Sequence, residues 1–442
     1  MGRLAALIRV PTVSRADASE TDWSAFARFR EVLAEQFPIV HASLDRELVA
    51  EHTLLYRWRG RDASLPPLIL MAHQDVVDPG DVASWEHDPF GAEITGDWSA
   101  GLATAVLHGR GTIDDKGSLA AILEATETLL VARHQPARDV WLVFGHDEET
   151  HGTGARAAAA LLASRGVAPL LVLDEGGAIV EDALPGAQGQ LGVIGITEKG
   201  VGNVRLRVAE QGGHSSTPPA MSAIGRLARA IARIDAKPFP ARLTAAARRM
   251  FAAAGRRTPG LRGFLYRNVA WTAPLLRAAL VRGGAETAAM VRTTRVATTI
   301  NGGHAQNAIP ERAEATVNVR ILPGESLESV RARLVSVVDD PLVTVELDGW
   351  EPAPISPTDG PGWELLVSTL RDVRPDVLPV PYGQTGATDS RSFTGLTSAV
   401  YRFAPFHLTI AERAALHAIG EQIRLKSWLE GVEFYAELLR RA

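Results

Sequence analysis

Three apolar runs of strand length, each followed by histidine or carboxylate residues, constrain the fold of this chain most strongly. The runs cover 68–72, 140–144 and 170–173, and they are followed by His73, by 146–149 and by 174–175. Helix-like segments lie between them, and 117–132 carries leucine and isoleucine at helical spacing. Strands that alternate with helices predict an α/β fold, a mostly parallel mixed sheet covered by helices, with ligands gathered at the carboxyl ends of its strands.

The pattern changes in the middle of the chain. Residues 191–208 alternate as half-buried strands do, a helix-rich stretch follows near 241–289, and strand-like runs return at 297–300 and 313–322. These features predict an inserted α+β domain at 197–323 with a helical extension near 241–289. The α/β pattern then resumes, so 1–196 and 324–442 are predicted to form one domain together.

Composition restricts both the partners and the metal chemistry. The chain has no cysteine, which excludes disulfides and thiolate metal sites, so any metal must bind nitrogen and oxygen ligands. Its net charge is -5 and no run of lysine and arginine stands out, so nucleic acid is not an expected partner. The first apolar run is broken by Arg9 and Pro11 and is too short for a signal peptide or membrane span. We therefore expect a cytoplasmic protein without a membrane partner.

The first candidate site is His73-Gln74-Asp75, at the end of an apolar strand. Residues two apart on a strand point to the same face, so Asp75 can reach the His73 ring. A metal-binding histidine usually donates its second ring hydrogen to such an oxygen, which fixes the tautomer. The alternative is a surface histidine beside an acid.

The second candidate is the glycine-rich segment 109–117, which places Asp114 and Asp115 just before a helix. The acids can cap that helix, but the glycines also allow the backbone to approach a ligand closely. A carboxylate at this position could bridge two cations.

Two further acidic clusters follow strands. Glu148 and Glu149 are adjacent and must point in different directions, so one can bind a metal while the other stays free as a base. The alternative is a solvated acidic pair. Asp174 and Glu175 follow the next strand, either as ligands or as part of a turn. Together the four clusters fit two divalent cations, preferably zinc, that share a hydroxide and stabilise an oxyanion, so the predicted reaction is hydrolysis.

Six motifs occur in order over most of the chain: LILMAHQDVV, GRGTIDDKG, GHDEETHGTG, LDEGG, GGHSSTPP and NxRxLPG. They resemble the aminoacylase/carboxypeptidase S family of dinuclear zinc exopeptidases, which includes acetylornithine deacetylase and succinyl-diaminopimelate desuccinylase. The long helical stretch is similar to the carboxypeptidase S and N-acyl-amino-acid hydrolase branch. Its Phe251, Phe264, Trp271 and Leu275 are interpreted either as lid core or as the lining of an apolar acyl pocket.

The resemblance assigns roles to the first three motifs. It implies that His73 binds one zinc ion, Asp114 bridges both ions and Glu149 binds the second, with cobalt or manganese as possible substitutes. It also implies that Glu148 is the general base, which takes a proton from the bridging water and hands it to the leaving amine. Asp75 would orient His73.

Two ligand positions stay open. Relatives differ in whether the ligand matches Asp174 or Glu175, so both are candidates. The last ligand should be a histidine in a pattern like HGxxE, which His417 fits best, with His407 as its rival. Ala418 replaces the usual glycine of that pattern.

The inserted domain resembles the lid and dimerisation domain of the family, which implies a possible homodimer. His214 matches a residue that, in relatives, often reaches the active site from the partner subunit and stabilises the oxyanion. Asn307 and Arg320 match groups that hold the substrate carboxylate, a task that suits the guanidinium fork. As alternatives, His214 is a turn residue and Arg320 a surface charge on a strand.

The sequence thus predicts a zinc-dependent hydrolase that cleaves the amide bond of N-acyl amino acids, or of small peptides with a free carboxylate, as a carboxypeptidase or aminoacylase does. One alternative is a dedicated biosynthetic deacylase or desuccinylase. Another is an inactive relative that keeps the fold for ligand binding or dimerisation.

Overall fold

The computed structural model describes residues 1–181 and 184–442, without the side chains of 98–100. The helices are α1 (Gly2–Ile8), α2 (Trp23–Gln36), α3 (Pro38–Ser43), α4 (Lys116–Val131), α5 (Thr153–Ser164), α6 (Ala223–Ala236), α7 (Ala245–Ala254), α8 (Gly260–Arg267), α9 (Val269–Arg282), α10 (Ala285–Ala289), α11 (Leu327–Val338), α12 (Pro361–Val373), α13 (Ile410–Ala414) and α14 (Leu425–Arg440). The strands are β1 (Asp45–Val49), β2 (Thr53–Trp58), β3 (Leu68–His73), β4 (Ile94–Thr95), β5 (Val106–His108), β6 (Val140–Gly145), β7 (Leu171–Asp174), β8 (Ile179–Val180), β9 (Leu191–Glu198), β10 (Gly200–Ala209), β11 (Gly213–His214), β12 (Thr294–Gly302), β13 (Ala308–Ile309), β14 (Arg312–Ile321), β15 (Val343–Trp350), β16 (Leu378–Gln384), β17 (Val400–Arg402) and β18 (Gln422–Arg424).

The main sheet has the strand order β1, β2, β6, β3, β7, β17, β9 and β16, with β8 paired to β9. Its centre, from β6 through β3 and β7 to β17, is parallel, as is the β9–β16 pair, whereas β1, β2 and β8 pair antiparallel. The predicted α/β fold with a mostly parallel mixed sheet is confirmed.

Helices cover both faces of this sheet because its central strands are apolar on both sides. Leu68 and Leu70 of β3 join a core cluster with α1, α2, α4 and α14, whereas Ile69 and Met71 join a separate cluster with α5. This alternation follows the two-residue period of a strand. A continuous apolar run is typical of a strand buried on both faces.

A second sheet, antiparallel throughout, has the order β12, β14, β10 and β15. Helices α6 and α11 pack on one of its faces, with Leu227 and Leu334 in the shared core. The sheet continues past the predicted boundary at residue 323, because β15 pairs with β10 along eight residues. The predicted inserted domain thus contains most, but not all, of this unit.

The helical extension packs on the main sheet. Phe251 of α7 lies in a core cluster with Leu191 of β9 and Val380 of β16. Of the four residues interpreted as lid core or acyl pocket, Phe251 is core, whereas Phe264, Trp271 and Leu275 are exposed. These three lie on the outer sides of α8 and α9, since the inner sides already bury Tyr266, Val269 and Leu276. In the described part of the chain, no helix is long and apolar enough to span a bilayer.

Candidate metal centre

The three predicted strand ends lie side by side. Strand β3 is flanked by β6 and β7, and its last residue, His73, is in register with Gly145, the last residue of β6. The acidic residues that follow each strand therefore meet at one edge of the sheet. His73 is buried, and its Nδ1 lies 2.9 Å from the carbonyl oxygen of Asp75 and 3.3 Å from its Oδ1. The ring is held with Nε2 directed away from Asp75.

Asp114 lies at the centre of the site. Its Oδ1 is 2.9 Å from Nε2 of His73, and its Oδ2 is 2.9 Å from Nε2 of His417. The same His417 atom lies 3.2 Å from Oε2 of Glu149. A bridging carboxylate needs this geometry, with its two oxygens directed toward different ligand groups.

Two groups of possible ligand atoms share Asp114. One contains His73, Asp114 and Glu175, and the other contains Asp114, Glu149 and His417. Within each group, one atom from every residue lies within 4.8 Å of the others. Each group has one imidazole and two carboxylates, a ligand set that suits zinc.

The structure distinguishes the adjacent acids Asp174 and Glu175. The Asp174 carboxylate is buried and accepts hydrogen bonds from the backbone amides of Glu175, at 3.0 Å, and Ser390, at 2.8 Å. Glu175 instead directs its carboxylate to His73 and Asp114. The geometry therefore favours Glu175 over Asp174 as the ligand.

The two histidine candidates are also separated. His407 lies away from the cluster, with Nε2 3.5 Å from Glu181. His417 reaches the cluster from a backbone with φ 59°, the left-handed region that favours glycine. Ala418 has no positive φ, so the replacement of glycine at that position places no strain on the backbone.

The electrostatics of the cluster also fit cations. Burial raises the pKa values of Glu149 and Glu175, and repulsion from Asp114 raises them further. Hydrogen bonds to Asp114 and Glu149 raise the pKa of His417 to about 10. Oε1 of Glu149 is buried without a hydrogen-bond partner among the described residues. A buried, mutually repelling set of carboxylates with an unpartnered oxygen is stabilised when divalent ions replace protons.

Glu148 lies beside the ligand groups without belonging to either of them. Burial raises the pKa of Glu148 well above its ordinary value; His73 opposes this rise, and the carboxylates of Asp389 and Glu149 add to it. A carboxyl group with a raised pKa next to a metal site suits a residue that must both take up and release a proton.

Asp75 does more than orient His73. Its Oδ1 accepts a hydrogen bond from the Glu148 amide, at 3.2 Å, and its Oδ2 accepts one from the Glu149 amide, at 3.1 Å. The hydroxyl of Ser14 donates a third bond, at 2.7 Å. Asp75 therefore fixes the imidazole and the turn that carries the two glutamates together.

Sequence reasoning missed the buried pair Arg110 and Glu421. Arg110 donates to Oε2 of Glu421, at 2.6 Å, and to the carbonyl of Ala418, at 3.1 Å. The only signal was the final glutamate of the HGxxE-like pattern, which was matched but given no role. This pair ties the segment of His417 to the segment of Asp114.

The three candidate substrate contacts lie outside this cluster. His214 is exposed at the end of β11, Asn307 is exposed just before its partner strand β13, and Arg320 is exposed on β14. Among the described residues, no hydrogen bond or ion pair joins any of the three to the metal ligands. Their predicted roles depend on a substrate or on a second subunit.

Comparison with known proteins identifies the family. The family model of peptidase family M20/M25/M40 matches residues 69–441, a range that includes all the candidate metal ligands. This chain belongs to that family. The prediction of a metallopeptidase or amidohydrolase is thereby confirmed.

Curated relatives in the family match over nearly the whole chain. The human N-fatty-acyl-amino acid synthase/hydrolase is 35% identical over 443 aligned positions, which cover 98% of this chain and 86% of the relative. Carboxypeptidase S of Saccharomyces cerevisiae is 28% identical, covering 99% and 83%. Among solved structures, an M20 family metallo-carboxypeptidase from Sulfolobus solfataricus has a TM-score of 0.70 at 16% identity, covering 99% of this chain and 97% of that one. The structural likeness supports the M20 fold.

Proposed function

We propose that this M20 protein is a dinuclear zinc hydrolase that cleaves the amide bond of N-acyl amino acids, including those with long acyl chains. The observation that carries the proposal is the position of Asp114, with one oxygen toward His73 and the other toward His417. The names of the relatives, an N-fatty-acyl-amino acid hydrolase and a carboxypeptidase, support a substrate with a free carboxylate next to the scissile amide.

In this proposal His73, Asp114 and Glu175 would hold one ion, and Asp114, Glu149 and His417 would hold the other. Two divalent ions so placed would activate a water molecule and stabilise the oxyanion of a tetrahedral intermediate. The residues fit that task because each group offers three protein ligands, the number that catalytic zinc sites typically use.

The protein itself supplies the proton transfers and the orientation. The Glu148 carboxylate takes the proton of the attacking water and delivers it to the leaving amine nitrogen. Asp75 accepts a hydrogen bond of 3.2 Å from the Glu148 amide, so the backbone that carries the base is held in place. Burial disfavours the charged form of this carboxylate and so raises its pKa, which keeps its proton affinity high.

Arg320 and Asn307 would hold the substrate carboxylate, and His214 would stabilise the oxyanion from the partner subunit of a homodimer. Arg320 forms no ion pair with any carboxylate of the described chain, so its guanidinium is available for a ligand. We expect β12 to form the contact between the two subunits. This strand lies at one edge of the second sheet and exposes Val296 and Ile300. An open edge with exposed apolar residues favours pairing with another chain.

The test combines metal analysis with a substrate panel. The purified protein should contain about two zinc ions per chain, and it should release amino acid from N-acyl amino acids of short and long chain length. A chelator should abolish this release, and zinc should restore it. Dipeptides in the same panel separate carboxypeptidase from acylase activity. Lack of hydrolysis after zinc reconstitution would contradict the proposal.

A further inference from the structure

The helical extension has a charge that differs from the rest of the chain. Residues 241–289 contain nine arginines, one glutamate, and neither lysine nor aspartate, so their formal charge is +8 in a protein whose total is -5. Among the described residues, only Arg242 of the nine forms an ion pair, with Glu325. Arg256, Arg262, Arg277 and Arg282 are exposed. The exposed part of the extension is therefore strongly basic.

The same helices expose large apolar side chains. Leu261 and Phe264 are one turn apart on α8, with exposed fractions of 74% and 45%, and Trp271 and Leu275 are one turn apart on α9, with 66% and 64%. The rings of Phe264 and Trp271 contact each other at 5.7 Å between centroids. The four side chains therefore form a patch across both helices, which we call the α8–α9 patch.

We propose that the α8–α9 patch and its arginines dock the protein on the surface of an anionic lipid bilayer. Leucine and aromatic side chains insert at the boundary between headgroups and acyl chains, and arginines bind the phosphates around them. This proposal departs from the expectation of no membrane partner, which was drawn from the lack of a spanning segment, whereas docking needs only an exposed surface.

Charge argues against a second copy of this chain as the occupant. A two-fold contact through the patch would bring two segments of formal charge +8 together, and like charges across an interface oppose association. Nucleic acid would leave the four apolar side chains without a matching surface. An anionic bilayer satisfies both the charge and the apolar groups.

Docking through the patch would bring the enzyme close to substrate dissolved in the bilayer. This part of the argument rests on the proposed function. Helix α7 packs on β16 and β9. Strand β16 is the outermost strand of the main sheet, and the metal centre lies at the carboxyl ends of other strands of the same sheet. Long-chain N-acyl amino acids are anionic amphiphiles that enter such bilayers. Docking would therefore bring the catalytic sheet to a surface that concentrates its substrate.

The experiment is co-sedimentation of the full chain with vesicles, in the absence of substrate. Vesicles of phosphatidylcholine with about 30% phosphatidylserine should bind the protein at least about tenfold more tightly than pure phosphatidylcholine, and added salt should weaken the binding. Trp271→Ser/Leu275→Ser and Arg262→Glu/Arg277→Glu should each reduce the binding by about tenfold or more.

Matched controls carry the same kind of change, apolar to serine or arginine to glutamate, at exposed positions elsewhere. Val131→Ser/Ile410→Ser and Arg61→Glu/Arg371→Glu should bind as the wild type does. All variants should keep the wild-type circular dichroism spectrum and the wild-type rate on a short-chain, water-soluble substrate.

Equal binding to neutral vesicles, or equal loss in the controls, would overturn the proposal. So would a change of oligomeric state in the patch variants without vesicles, since the occupant would then be a second copy. Because binding is measured without turnover, an inactive enzyme would not affect the result.

Discussion

The carboxylate of Glu421 holds the backbone of Asp114 in place. Its Oε1 accepts hydrogen bonds from the amides of Gly111, at 3.1 Å, Ile113, at 2.9 Å, and Asp114, at 3.2 Å. Its Oε2 accepts from Arg110 at 2.6 Å. The central carboxylate of the metal centre thus depends on a residue more than 300 positions away.

Replacement of Glu421 should therefore disturb metal binding without touching a ligand. We expect Glu421→Ala to lower zinc affinity by about 10- to 100-fold and the free energy of unfolding by about 3–5 kcal/mol, because Arg110 is left buried and unpaired. Chelator competition and urea unfolding measure the two effects. Glu430→Gln, in a partly exposed ion pair with Arg374, is the control and should change neither. Wild-type zinc affinity in folded Glu421→Ala would contradict the role.

The general base and the bridging ligand can be separated by substitution. Glu148→Gln should keep its zinc and lose about 10²- to 10⁴-fold in kcat, because the amide cannot take up a proton. Asp114→Ala should lose zinc as well as activity, since both ligand groups share this residue. Metal content and kcat are measured on the same preparations. Wild-type turnover in Glu148→Gln would remove the assignment of the base.

The choice between adjacent acids can be tested in the same way. Glu175→Ala should lose one zinc per chain, because the carboxylate directed toward His73 is removed. Asp174→Asn should keep both ions, because the asparagine oxygen can still accept the hydrogen bond from the Ser390 amide. Elemental analysis of the two variants decides. The reverse pattern would identify Asp174 as the ligand.

The buried Lys199 should make the free energy of unfolding depend on pH. Burial lowers the pKa of Lys199 from 10.5 to about 8, and the charge of Arg320 adds to the shift. Between these two values the unfolded chain binds more protons, so this residue should increase the free energy of unfolding as the pH rises, by up to about 3 kcal/mol. Unfolding of wild type and Lys199→Met at pH 7.5 and 9.5 isolates this contribution. An equal pH dependence in both proteins would refute it.

The proposed homodimer predicts a change of mass on substitution at β12. Ile300→Lys places a charge on an exposed apolar position of the edge strand, so it should convert the dimer to a monomer. Leu342→Lys, at an exposed position outside β12, is the control and should leave the dimer intact. Analytical ultracentrifugation gives both masses. A wild-type monomer at micromolar concentration would exclude the dimer.

The fold class could be predicted from the sequence because its signals are local. The apolar runs of β3, β6 and β7 and the polar residues after each run lie within a few positions of each other. Parallel neighbours then bring His73 and the 146–149 segment together by topology alone. The resemblance added the role of each residue, including Asp114 as the shared ligand.

Only the tertiary structure distinguished residues whose local patterns are equivalent. Asp174 and Glu175 are adjacent acids. Which of them can bind the metal depends on the Ser390 amide, 216 positions away, which donates a hydrogen bond to the Asp174 carboxylate. The role of Glu421 depends on amides more than 300 positions away. Likewise, Trp271 and Leu275 have the same apolar character as Phe251, yet only Phe251 faces the main sheet. The local sequence indicates that a residue is apolar or can bind a metal. Long-range packing decides which residues its side chain contacts.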